Sequence, residues 1–168
     1  MKIVVFSDSH GKSDRINSLV EMAGNFDGVI FLGDGLRDLM YCDFHQKPIY
    51  SVSGNCDVSG FYGELSDADE QLICVGNKKI FITHGQRYGV KDSIDRLIYA
   101  AAQKDADIVL FGHTHQRFCT RLTPDRVPSL SKPLYVFNPG SIGSYEASFG
   151  RLHITHAGDV LLSHGELW

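Results

Sequence analysis

KIVVFSDSHGKSDRINSLVEMAGNFDGVIFLGD, residues 2–34, sets the architecture. Its run IVVFS (3–7) is short, apolar and rich in β-branched residues, the composition of a buried strand. DSHG follows, and then KSDRINSLVEMAG, in which Ile16, Leu19, Val20 and Ala23 fall on one helical stripe. Ser13 is the predicted N-cap of that helix. GVIFLGD (28–34) is a second buried strand. Strand, helix and strand in this order imply parallel pairing and a right-handed crossover. Downstream, PIYSVSGNCD (48–57) reads as a third strand, with a short helix predicted within 36–45.

The second half has a different rhythm. In EQLICVGNKKIFITHG (70–85), Gly76-Asn77 separates two strand-like runs, a hairpin signal. Residues 91–104 are predicted helical, with Ile94, Leu97, Ile98 and Ala101 inward. DIVLFGHTH (107–115), RFCTRLT (117–123), LYVFNPGS (134–141), FGRLHIT (149–155) and DVLLSHG (159–165) read as strands, and 124–133 as a loop. There is no internal repeat, low-complexity segment or linker, so residues 1–168 are read as a single domain. Parallel strands first and antiparallel strands later predict an α/β fold of two sheets packed face to face, with helices outside.

The totals narrow the function classes. Sixteen basic and 20 acidic residues leave a net charge of −4 and no basic tract, which argues against a non-specific grip on nucleic acid. The four cysteines, Cys42, Cys56, Cys74 and Cys119, show no C-x-x-C spacing and read as reduced thiols. No stretch approaches the ~18 apolar residues of a membrane span. The expectation is a cytoplasmic protein with no membrane association.

The informative polar residues stand where strands stop. The first run ends in Asp8-Ser9-His10, the second in Gly33-Asp34, and the third in Gly54-Asn55-Cys56-Asp57. Later runs end in Thr83-His84-Gly85 and Gly112-His113-Thr114-His115. Ligands of open α/β sheets bind at the carboxyl ends of strands. Residues two apart in extended chain share a face at roughly 6.5 Å, so Asp8 would project with His10, and His113 with His115. That spacing suits a pair of ions about 3.5–4 Å apart better than one ion, with the two oxygens of Asp34 as a bridge. Taken singly, each motif is also a cap or a turn: Asp34 can cap a helix, and Asn55 can close an Asx-turn. Their conjunction at five strand ends is what favours a metal centre.

The ordered set D-x-H, G-D, G-N-C-D, T-H-G and G-H-T-H resembles the calcineurin-like metallophosphoesterase superfamily, from Asp8 through the N-P-G-S at 138–141. The short length and the G-N-C-D element look like its small bacterial and archaeal phosphodiesterase branch, which also resembles the scaffold subunit of retromer. The resemblance implies a four-layer α/β/β/α sandwich with two mixed sheets and a dinuclear centre. One ion would take Asp8, His10, Asp34 and His115, and the other Asp34, Asn55, His84 and His113. Manganese is the first expectation for both divalent ions, with iron, zinc, nickel or cobalt as alternatives; the donors select none of them.

A hydroxide bridging the ions would then attack the phosphorus of a small phosphate ester in line with the leaving group. Many relatives carry histidine where this chain has Cys56, and a thiol of pKa about 8.5 is a poor general acid. Phosphodiesters with good leaving groups are therefore the expected substrates. Cys56 is read as a small residue packed below the ions, and Asp57 as orienting its neighbours from behind them. Asn55 and Arg37 are candidate contacts for the substrate phosphate, Arg37 set against a solvated helix position. Arg87 and Arg117 stand close to ligand histidines without a defined direction. His45, His153, His156 and His164 match no motif. Tyr88, Tyr145 and Phe149 either line a cleft or pack, and Asn138 to Ser141 is expected to hold the H-x-H loop. Loops 56–70 and 124–133 would set specificity, and exposed strand edges suggest a homo-oligomer.

Two rivals remain. An inert scaffold of the same fold would usually have lost ligands, whereas all seven positions are filled here. A phosphomonoesterase or nucleotide pyrophosphate hydrolase would share the ligand set.

Overall fold

The computed structural model describes residues 1–58, 60, 62 and 65–168. Two mixed five-stranded sheets pack face to face. The first holds β1 (Lys2–Phe6), β2 (Gly28–Phe31), β3 (Ile49–Ser51), β9 (Ser148–Ile154) and β10 (Val160–Glu166), in the order β10-β9-β1-β2-β3. The second holds β4 (Glu70–Val75), β5 (Lys78–Thr83), β6 (Ile108–Phe111), β7 (Arg117–Leu122) and β8 (Leu134–Pro139), in the order β4-β5-β6-β8-β7. Helices α1 (Ser13–Ala23) and α2 (Leu36–Leu39) cover the outer face of the first sheet, and α3 (Asp95–Gln103) covers that of the second. The four layers are those expected.

Burial explains the sequence pattern. Alternate residues of β1 serve two cores: Ile3 and Val5 face the second sheet, while Val4 and Phe6 face the helices. With both faces covered, β1 and β2 read as unbroken apolar runs. Ile16, Leu19 and Val20 anchor α1, each contributing about 1.5–3 kcal/mol by burial. Between the sheets, Ile30 and Leu32 meet Ile80, Ile82, Ile108 and Leu110.

Several expectations need correction. Ser13 is the first helical residue rather than the cap; Lys12 occupies the cap position without a side-chain bond. The strand expected over 48–57 shrinks to Ile49–Ser51, because the chain then turns to bring Gly54 against Asp34. Parallel pairing is not confined to the first half, since β5, β6 and β8 are mutually parallel neighbours. The last hairpin, β9–β10, returns to the first sheet, where β9 runs antiparallel to β1. The Gly76-Asn77 hairpin forms as expected, with Val75 opposite Lys78. Of the loop 56–70, residues 59, 61, 63 and 64 lie outside the described residues. No helix among the described residues is long and apolar enough to cross a membrane.

Candidate metal centre

The carboxyl ends of β1, β2, β5 and β6 stop at one edge of the sandwich, and their following residues meet there. Asp8 is wholly buried, and its Oδ1 lies 3.1 Å from His115 Nε2, 3.8 Å from His84 Nε2 and 3.9 Å from His10 Nε2. Asp34 Oδ2 lies 3.3 Å from His84 Nε2 and 3.9 Å from His10 Nε2. The imidazoles face one another in two pairs, His10 Nε2 to His115 Nε2 at 3.3 Å and His113 Nδ1 to His84 Nε2 at 3.2 Å. Two donor sets result, Asp8–His10–His115 and Asp34–His84–His113, and Asp34 with His10 and Cys56 makes a third group between them.

The backbone achieves this differently from the extended geometry expected. Strands β1 and β6 end at Phe6 and Phe111, before the donors begin. Asp8, His10, Asp34, His113 and His115 all adopt positive φ, between 46° and 66°. Each such residue costs on the order of 1–3 kcal/mol, and surrounding bonds must hold it there. The left-handed turns, not a strand pleat, send His113 to His84 and His115 to His10.

Those bonds can be traced. Asp38, which the sequence did not point to, is buried on α2 and accepts the Ser9 hydroxyl at 2.6 Å and the Gly11 N–H at 2.8 Å. The Asp8 carbonyl takes the Ser141 hydroxyl at 2.9 Å and the Gly143 N–H at 3.0 Å. Asn138 donates to the Gly112 carbonyl at 2.8 Å and to Thr114 Oγ1 at 3.1 Å, so the N-P-G-S turn does brace the H-x-H loop. At Gly54 a Cβ would stand 2.1 Å from Asp34 Oδ1, so only glycine permits this approach.

The charges are arranged to take a cation. Burial raises the Asp8 carboxyl above its ordinary range, against the pull of His84. Burial also acts upward on Asp34, but His84 and the Cys56 backbone N–H, at 2.7 Å, outweigh it and hold that carboxyl well below the usual range. His84 is wholly buried, yet Asp34 and Asp8 raise it. Its Nδ1 meets the Leu32 carbonyl at 2.6 Å, which turns Nε2 toward the carboxylates. Burial, His84 and Lys91 lower His113 to about 4. Asp8 Oδ1 is buried without a hydrogen-bond partner among the described residues. A buried carboxylate oxygen of this kind, ringed by imidazole nitrogens, is the donor a divalent cation completes, so the residues fit such ions.

The remaining candidates fall around this centre. Asn55 is exposed on the same rim, its amide nitrogen 3.3 Å from Cys56 Sγ. Cys56 is exposed on the cleft wall rather than packed below the ions, and desolvation with the carboxylates of Asp34, Asp57 and Asp8 pushes its thiol up, away from a thiolate nucleophile. Arg37 is exposed and lines a 540 Å³ cleft with His10, Asp34 and Cys56. Arg87 pairs with Asp69, and Arg117 with Glu166. Phe149 is wholly buried and only packs, Tyr88 bonds to Glu70, and Tyr145 is exposed.

Residues 1–159 match the family model of the calcineurin-like phosphoesterase superfamily domain. The probable metallophosphoesterase YsnB of Bacillus subtilis (strain 168) is 31% identical over 116 residues, covering 68% of this chain and 64% of that relative, under two thirds of its length. Phosphodiesterase MJ0936 of Methanocaldococcus jannaschii is 27% identical over 164 residues, 86% of each chain. The solved structure of an archaeal phosphodiesterase superimposes with a TM-score of 0.75 at 24% identity, covering 99% of this chain and 100% of that one, a likeness of fold.

Proposed function

Because the chain belongs to the calcineurin-like phosphoesterase superfamily, we propose that it is a phosphodiesterase working with two divalent metal ions. The observation that carries this reading is Asp34, which belongs to one donor set and reaches His10 of the other, near a buried Asp8 oxygen without a hydrogen-bond partner among the described residues. One ion is assigned to Asp8, His10, Asp34 and His115, and the other to Asp34, Asn55, His84 and His113. When bound, such ions supply a water of lowered pKa as nucleophile and neutralise charge growing on the phosphate oxygens. The protein's own part is to hold the donors in place: His84 is aimed by Leu32, Asp34 by the Cys56 N–H, and Asp8 by the 141–143 turn. Arg37, on the cleft wall, is assigned to the substrate phosphate, and so is Asn55, which neighbours Cys56 of that wall.

Manganese is the proposed metal, with iron, zinc, nickel or cobalt as alternatives, and the substrate a small diester. The four free thiols suit the cytoplasm. The open edges at β10, β3, β4 and β7 are where a homo-oligomer would form.

Chelator-stripped protein titrated with Mn²⁺ tests the reading, with bis(4-nitrophenyl) phosphate and 4-nitrophenyl phosphate as substrates. The expected result is no turnover without metal, a plateau near two equivalents, and faster hydrolysis of the diester. Metal-independent turnover, or none with any of the five metals, refutes it.

A further inference from the structure

Two clefts leave the candidate centre. One, of 540 Å³, runs from His10 and Asp34 past Cys56 to Arg37. The other, of 570 Å³, runs from His115 past Gln116 to Tyr145. They diverge from the point where His10 and His115 touch, their Nε2 atoms 3.3 Å apart. A phosphomonoester has one organic arm and needs one cleft, whereas a phosphodiester has two.

The second cleft carries its own chemical signature. Tyr145 is 98% exposed, so its ring adds nothing to the core. Its loop is nonetheless pinned on both sides. The Gly143 N–H meets the Asp8 carbonyl at 3.0 Å, and the Ser144 N–H meets Ser141 Oγ at 3.1 Å. Arg15 reaches the Ile142 carbonyl at 3.0 Å, and the Ser148 N–H the Ser141 carbonyl at 3.0 Å. An aromatic ring that faces water beside a reaction centre, on a backbone fixed by these bonds, is a platform for stacking a flat group. The charge of the same wall is unfavourable to a second phosphate. Arg117 is engaged by Glu166, and Glu146 adds another carboxylate. An anionic arm is repelled there, and an uncharged one is not.

We propose that the cleft beside His115 takes an uncharged aromatic arm of the phosphodiester, a nucleoside or another aryl group, stacked on Tyr145. This rests on the phosphodiesterase reading and names its substrate class. Calorimetric titration of the manganese-loaded protein with AMP, ribose 5-phosphate and inorganic phosphate tests it. AMP should bind at least about fivefold more tightly than ribose 5-phosphate, the margin a single stacked ring provides. Tyr145→Ala should erase that margin while ribose 5-phosphate still binds, and Tyr145→Phe should keep it. Equal affinities for AMP and ribose 5-phosphate in the unaltered protein, or a margin that survives Tyr145→Ala, overturn the stacking site and leave the metal centre standing. If none of the three probes binds, the phosphodiesterase reading fails and this proposal with it.

Discussion

Asp57 stands behind Asp34 and takes the Asp34 backbone N–H on its Oδ2 at 2.9 Å. The same oxygen accepts from Gly54 at 2.8 Å, and Oδ1 accepts from Gly35 and Leu36 at 2.8 and 2.9 Å. One carboxylate therefore ties the turn after β2 to the turn after β3, leaving both its oxygens committed to backbone. Asp57→Asn replaces one acceptor with an amide that meets N–H groups head on. A loss of about 2 kcal/mol is expected in denaturant unfolding, together with about tenfold weaker manganese binding. Unchanged stability and affinity would remove Asp57 from the support of the centre.

Asn138 offers a second test on the opposite side. It is wholly buried, it holds Gly112 and Thr114, and its Oδ1 accepts the Gly140 N–H at 2.9 Å. Asn138→Ala strands the Gly140 N–H and leaves the Gly112 carbonyl with the Thr114 N–H alone. Unfolding free energy should drop by about 2–4 kcal/mol. Manganese affinity should fall by about 10–100-fold, because His113 and His115 lose their brace. A variant with native melting and native metal binding contradicts this assignment.

Acid should act through His113. Its folded-state pKa is lowered to about 4, below the roughly 6.5 of an unfolded chain. Between those values the unfolded state binds more protons, so this group's contribution is complete above pH ~6.5 and is lost as pH falls toward 4. His84 works in the opposite direction, because its raised pKa favours the folded state at low pH. Comparison with His113→Asn isolates the first effect. Melting of metal-free protein across pH 7 to 4 should fall more steeply for the native chain than for the variant, and parallel curves would disprove it.

Much of this was legible in residue order, for physical reasons. Strands covered on both faces must be apolar at every position, so β1, β2 and β6 stand out. The donors are just as visible, because Asp8, His10, Asp34, His84, His113 and His115 each follow such a run directly. Sheet membership was not legible, since nothing local distinguishes a hairpin such as β9–β10 that closes the first sheet from one that extends the second. The left-handed turns were hidden for a related reason: His and Asp enter them only when distant groups, here Ser141, Gly143, Asn138 and Asp57, hold the backbone there. Asp38 looked like any helix-surface carboxylate until Ser9 and Gly11 were placed against it.

The antiparallel partner of β1 is β9, nearly 150 residues downstream, and the Met1 ammonium reaches the Ile154 carbonyl at 2.7 Å. During synthesis the opening strand must wait, one edge unsatisfied, until the closing hairpin leaves the ribosome. The turn that fixes Asp8 comes from residues 141–143, just ahead of that hairpin. Nascent chains should thus be unable to capture metal until residues 141–154 have left the ribosome, and until then the unpaired edge of β1 is left in the care of chaperones.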